Sequence, residues 1–232
     1  MAHGVTFSDG SQTWNTYEDW GLFQPDAPVI SPPQIETNYV GIPGMDGFLD
    51  LSETLIDRPI FKSREFKAEY KCPAKPEEWP EIISSIMTAL HGKKMEIYIE
   101  DDFTTYYSGR VFVGDCTMEA RGIFNILITA TLMPWRYEKE LRETSIFCAG
   151  DGTANGIIIG TRMPAVPDIH VEVAPGKPFH VTEFNGSAVD YELVQGDNFI
   201  PQLELHEGEN TITIEGTGYG GTSTFTFQGG AL

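Results

Sequence analysis

Residues 123–132 read IFNILITATL. Ile126, Ile128, Ala130 and Leu132 alternate with Asn125, Leu127, Thr129 and Thr131. A period of two is the signature of a strand. One face of this strand is wholly apolar and the other is mixed, so the strand belongs to a sheet with one buried side. The same pattern occurs upstream, where Phe66, Ala68 and Tyr70 alternate with Lys67 and Glu69. Between these strands, residues 76–91 (PEEWPEIISSIMTALH) change period. Trp79, Ile82, Ile83, Ile86, Met87 and Leu90 follow helical spacing. A helix over about 77–91 is predicted, with Pro80 in its first turn and Gly92 as its stop. Burying those six side chains is worth on the order of 10 kcal/mol gross, at roughly 1.5–3 kcal/mol each. A helix this short is marginal alone, so it must lie along the sheet.

Further strands are predicted at 95–99 and 106–113, joined across Glu100-Asp101-Asp102. A hairpin across Ala120-Arg121-Gly122 follows. Met133-Pro134-Trp135 and the charged run from Arg136 to Glu143 end this region, placing a domain boundary near residue 138. The two domains are therefore expected at 1–138 and 139–232. Seven short strands are predicted in the second, at 145–148, 156–160, 168–173, 179–184, 189–194, 211–215 and 222–227. Evenly spaced short strands with Gly and Asn turns, such as Asn185-Gly186, suggest a sandwich or jelly roll.

Residues 1–38 carry turn formers, isolated aromatics (Phe7, Trp14, Tyr17, Trp20, Phe23) and the proline-rich stretch 24–33. Proline lacks a backbone donor, so the segment reads as an extended arm that packs on its own domain or on a neighbouring subunit. Residues 39–51, YVGIPGMDGFLDL, hold three glycines and a proline between apolar positions, the mark of a loop or hairpin.

The chain has 232 residues and a formal net charge of −19, from 34 Asp and Glu against 15 Lys and Arg. Such a charge repels phosphate backbones, which disfavours nucleic acid and anionic membranes as partners. No signal peptide or spanning segment is read from the sequence. Cys72, Cys116 and Cys148 lie at no metal-ligand spacing and read as small buried hydrophobes. His3, His91, His170, His180 and His206 form no ligand motif. His91 suits a structural role at the helix end. Asp46 reads as a turn residue before Gly47, and Asp101-Asp102 as a solvated turn. The glycines at 216–221 lack the strand–loop–helix context of a phosphate site. No catalytic residue, metal or cofactor is assigned, and the chain is read as a non-enzyme.

Several motifs resemble the distal tail (Dit) family of long-tailed phages and prophages. They are Ile42 to Leu51 (IPGMDGFLDL), Arg58 and Phe61 in DRPIF, Leu90-His91-Gly92-Lys93 and Tyr106-Tyr107-Ser108-Gly109-Arg110. Pro134-Trp135, Glu207-Gly208-Glu209-Asn210-Thr211-Ile212 and the ending Phe227 to Leu232 complete the series. Their order spans nearly the whole chain, with looser agreement in the second domain. The resemblance implies an all-β protein with one helix. Its first domain would be a tail-tube-like β-sandwich that forms a hexameric ring, and its second would be a galectin-like sandwich or jelly roll. It also implies a virion tail protein assembled in the bacterial cytoplasm, linking the tail tube to tip, baseplate or receptor-binding proteins.

Subunit-interface candidates are Trp14, Trp20, Phe23, Pro43, Gly44, Asp46 and Gly47, and deletion of residues 2–30 is expected to abolish the ring. The alternative function is a carbohydrate-binding module that contacts the host cell wall through the second domain. Tyr219 is its candidate sugar contact, with Phe179, Phe184, Tyr191 and Phe199 weighed beside it.

Overall fold

The structure is a computed structural model that describes residues 4–54, 58–99, 104–119, 123–150, 152–173, 178–216, 218 and 220–232. The chain divides into two compact units, Met1–Arg136 and Tyr137–Leu232. The Asp101-Asp102 and Ala120-Arg121-Gly122 turns lie outside the described residues.

The first unit begins with β1 (Val5–Ser8), β2 (Thr13–Asn15) and β3 (Val29–Ile30), followed by a small hairpin of β4 (Tyr39–Val40) and β5 (Leu49–Asp50). Next come β6 (Arg64–Cys72), α1 (Trp79–Leu90), β7 (Lys94–Ile99), β8 (Thr105–Glu119) and β9 (Ile123–Glu138). The main sheet runs in the order β2-β1-β7-β8-β9-β6-β3. Alternation places Phe66, Ala68 and Tyr70 of β6 and Ile126, Ile128, Ala130 and Leu132 of β9 in one core. Helix α1 packs on that core through Trp79, Ile86, Ala89 and Leu90. The Trp79 ring stacks on Phe124 at 5.4 Å. Met87 is exposed, and Ala89, one helical turn from Ile86, takes the buried position expected of it.

The N-terminal segment packs on its own unit, one of the two places expected for it, and its start is strand. β1 pairs with β7 on one side and β2 on the other, and all four of its residues are buried. Val5, Phe7, Trp20 and Leu22 belong to the core of the first unit. The chain then makes a two-way backbone bridge between Phe23 and Lys71 before its prolines begin.

Gly109 shows why one strand position tolerates no side chain. A Cβ there would stand 2.3 Å from the Thr131 carbonyl oxygen and 2.8 Å from Leu132 Cα. Both are backbone atoms of β9 and cannot swing away. Gly109→Ala is expected to destabilise the first unit by about 1–3 kcal/mol through overpacking. A urea melt followed by tryptophan fluorescence reads this, because Trp14, Trp20, Trp79 and Trp135 all lie in this unit.

The second unit is a sandwich. Its strands are β10 (Arg142–Cys148), β11 (Thr153–Gly160), β12 (Asp168–Glu172), β13 (Phe179–Phe184), β14 (Ser187–Leu193), β15 (Gly196–Phe199), β16 (Gly208–Gly216) and β17 (Gly221–Phe227). One sheet has the order β10-β17-β12-β15 and the other β11-β16-β13-β14. Inward residues of both sheets, among them Ile146, Ile169, Phe179, Val181, Ile212, Ile214 and Phe225, form a single core. Asn185 and Gly186 join β13 to β14 with positive φ at both positions, the backbone of a tight two-residue hairpin. Strand β15, absent from the seven expected, pairs with β12 at the sheet edge. Among the described residues the chain is thus all-β with one helix.

Candidate functional site

The element most open to a partner is the β4–β5 hairpin. Its base is closed by backbone and side-chain hydrogen bonds. Leu51 N donates to Asn38 O at 2.9 Å, and Asn38 N to Ser52 Oγ at 2.8 Å. Asp50 accepts from the Ser52 amide and hydroxyl, which hold its carboxyl below the usual range. At the tip, Met45 N donates to Ile42 O at 3.1 Å. Gly44 and Gly47 take φ values of +84° and +91°, which L side chains rarely adopt. The Tyr39 and Phe48 rings pack at 4.2 Å.

Every residue from 39 to 50 is solvent-exposed. Ile42, Met45, Phe48 and Leu49 are open to water, Phe48 at 57%. Contiguous exposed apolar side chains of this kind mark an interaction surface. Pro43, Gly44, Asp46 and Gly47 all sit in this tip. The exposed Val29, Ile35 and Ile60 extend apolar surface along the flanking chain, a feature missed in the sequence because no periodicity links them.

The three aromatic candidates lie elsewhere in the same unit. Trp20 is only 8% exposed, and its Nε1 donates to Ser85 Oγ of α1 at 3.0 Å. Its ring therefore pins the N-terminal segment to the helix and is not free for a neighbour. Trp14 is half-buried, with the Lys93 ammonium 5.5 Å from its ring centroid. Phe23 is half-buried beside its bridge to Lys71.

Three of the five histidines have partners for their side chains among the described residues. His91 Nδ1 accepts from Val113 N at 3.1 Å, so the imidazole supports a strand amide. His170 Nδ1 lies 2.6 Å from Asp197, whose carboxylate raises the imidazole pKa, and His180 lies 3.2 Å from Asp190. Among the described residues no three His, Cys, Asp or Glu gather as metal ligands, and no helix is long and apolar enough to cross a membrane. Cys72 and Cys148 are buried, but Cys116 is exposed, against the expectation for it. Its neighbours in β8, Asp115, Thr117 and Met118, are open as well.

In the sandwich, Phe179 is core, and Phe184 and Tyr191 are half-buried against it. Tyr219 lies outside the described residues. Phe199 stays 61% exposed, and Phe147, which the strand pattern hid, is 65% exposed. Both project from the outer face of the β10-β17-β12-β15 sheet. Between them on that face stand the half-buried Thr222, Thr224 and Thr226, with Asp168, His170 and Glu172 beside them.

No protein-family model matches the sequence, and no curated protein does. Among solved structures, the chain is similar to the Dit protein (gp 19.1) of SPP1, described as a paradigm of the hub adsorption apparatus in phages infecting Gram-positive bacteria. The two are 15% identical, and the match covers 97% of this chain and 98% of that one with a TM-score of 0.64. With nearly the whole of both chains matched, the chain has the fold of this distal tail protein.

Proposed function

We propose that the chain is a structural component of a phage tail, a ring-forming distal tail protein that joins the tail tube to the tip or receptor-binding apparatus. The observation that carries this reading is the exposed apolar hairpin 39–50. It projects from a unit whose other large side chains are mostly gathered into one core. A folded chain keeps such a surface when a partner covers it. The motif resemblance to the distal tail family makes a ring of six identical copies the expected assembly, and the fold shared with SPP1 Dit supports a place in a tail hub. The net charge of −19 suits a component that DNA must pass without adhering.

Gold-labelled antibody against the protein, applied to purified virions, should decorate the tail end distal to the capsid. Label spread along the tube or absent from particles would count against the reading.

A second reading rests on the outer face of the sandwich. Two exposed phenylalanines flanking a hydroxyl ladder offer ring faces and hydrogen-bonding groups to a cell-wall glycan. The full chain should then sediment with purified cell walls, and Phe147→Ser with Phe199→Ser should reduce the bound fraction. Equal binding by the variant would remove this reading and leave the first untouched.

A further inference from the structure

Arg64 opens β6 on the core face and is only 6% exposed. Its guanidinium carbon stands 5.7 Å from the Tyr107 ring centroid, and its Nε has no hydrogen-bond partner. No carboxylate partner for it occurs among the described residues. Cation–π contact offsets part of what a guanidinium loses on leaving water, but an unpaired buried charge stays costly. Tyr107 is also a wall of a cavity of about 440 Å³, lined further by Ile30, Ile97, Ile99 and Arg136. Arg136 is exposed at its mouth and likewise makes no ion pair among the described residues. In a chain of net charge −19, Arg136 on the cavity wall and Arg64 against the Tyr107 ring form a local positive site.

Such a cavity suits a long apolar side chain next to a carboxylate. The hairpin tip carries that combination. Asp46 is exposed, has no hydrogen-bond partner among the described residues, and follows the exposed Met45. We propose that this cavity is a socket for the hairpin tip of a second copy, with Met45 against Ile97, Ile99 and Tyr107 and the Asp46 carboxylate between Arg136 and Arg64. Hairpin and socket are different surfaces of the same unit, so the contact is head-to-tail, the type that closes rings. This inference rests on the self-assembly reading above and names the residues that carry it.

The test is a charge swap on the full chain, read by sedimentation velocity across a concentration series. Arg136→Glu and Asp46→Arg should each weaken self-association by at least about tenfold, as expected for loss of a desolvated ion pair. The double variant should recover to within about threefold of the native affinity, because the pair is restored with its signs exchanged. Arg64→Met removes the buried cation in favour of an apolar side chain, so at a concentration where both proteins are dissociated it should melt no lower than the native protein, yet it should associate more weakly. If the native protein oligomerises and the single variants do so equally well, the socket is wrong while the ring reading stands. A double variant that stays as weak as the singles excludes Asp46 as the occupant. A native protein that is monomeric throughout overturns the self-assembly reading and the socket with it.

Discussion

Asn210→Asp should destabilise the second unit by about 3–5 kcal/mol, close to unfolding it. Asn210 is 1% exposed at the start of β16. Its Oδ1 accepts from His206 N and Asn185 Nδ2, both at 3.0 Å. Its Nδ2 faces the carbonyls of His206, Gly208 and Ile158 at 2.8, 3.2 and 3.3 Å. One amide thus ties the turn before β16 to β11 and to the β13–β14 hairpin. A carboxylate of the same shape would turn a buried negative oxygen toward three carbonyl oxygens and lose both donors. Asn210→Ala leaves the groups unpaired without the charge and should cost less, about 1–3 kcal/mol. The exposed Asn155→Asp serves as a control, expected within about 0.5 kcal/mol of native. The four tryptophans lie in the first unit, so the loss should appear as an early far-UV circular dichroism transition with the fluorescence transition unmoved.

Replacing Ile42, Met45 and Phe48 together by serine should weaken self-association by about thirtyfold or more, the cost of removing even one interface anchor. Melted at a concentration where the native protein is also dissociated, the variant should show no lower melting temperature, because these side chains cover no core of their own unit. Light scattering beside a thermal melt reads both quantities. Deletion of residues 2–30 cannot make the same point. It removes Val5, Phe7, Trp20 and Leu22 from the core, worth roughly 6–12 kcal/mol at about 1.5–3 kcal/mol each. That is comparable with the whole stability of an ordinary domain, about 5–15 kcal/mol. The deletion should yield an unfolded first unit, and any loss of assembly would follow from that.

The elements most legible in the sequence are those with one dry face and one wet one. β6, β9 and α1 each show their period because half of each faces water, and the hairpin at 39–51 announces itself through its glycines. β1 is hidden by its length. Val5 and Phe7 alternate with Thr6 and Ser8, but four residues beside turn formers are too short a run to stand out. β15 was hidden by composition, since Gly196, Asp197 and Asn198 are turn formers that pair with β12 all the same. The role of Trp20 was equally out of reach. An isolated aromatic looks alike whether it meets its own helix or a neighbour, and only the bond to Ser85, distant in sequence, decides between them. Arg64 sits in a clean alternating strand, where its charge gives no sign that it points inward.

Ring formation is tested most directly by the mass of the native protein in solution, measured by light scattering over a range of concentrations. A closed species near six times the 25.8 kDa chain is the expected result. A 25.8 kDa monomer at every concentration would contradict it.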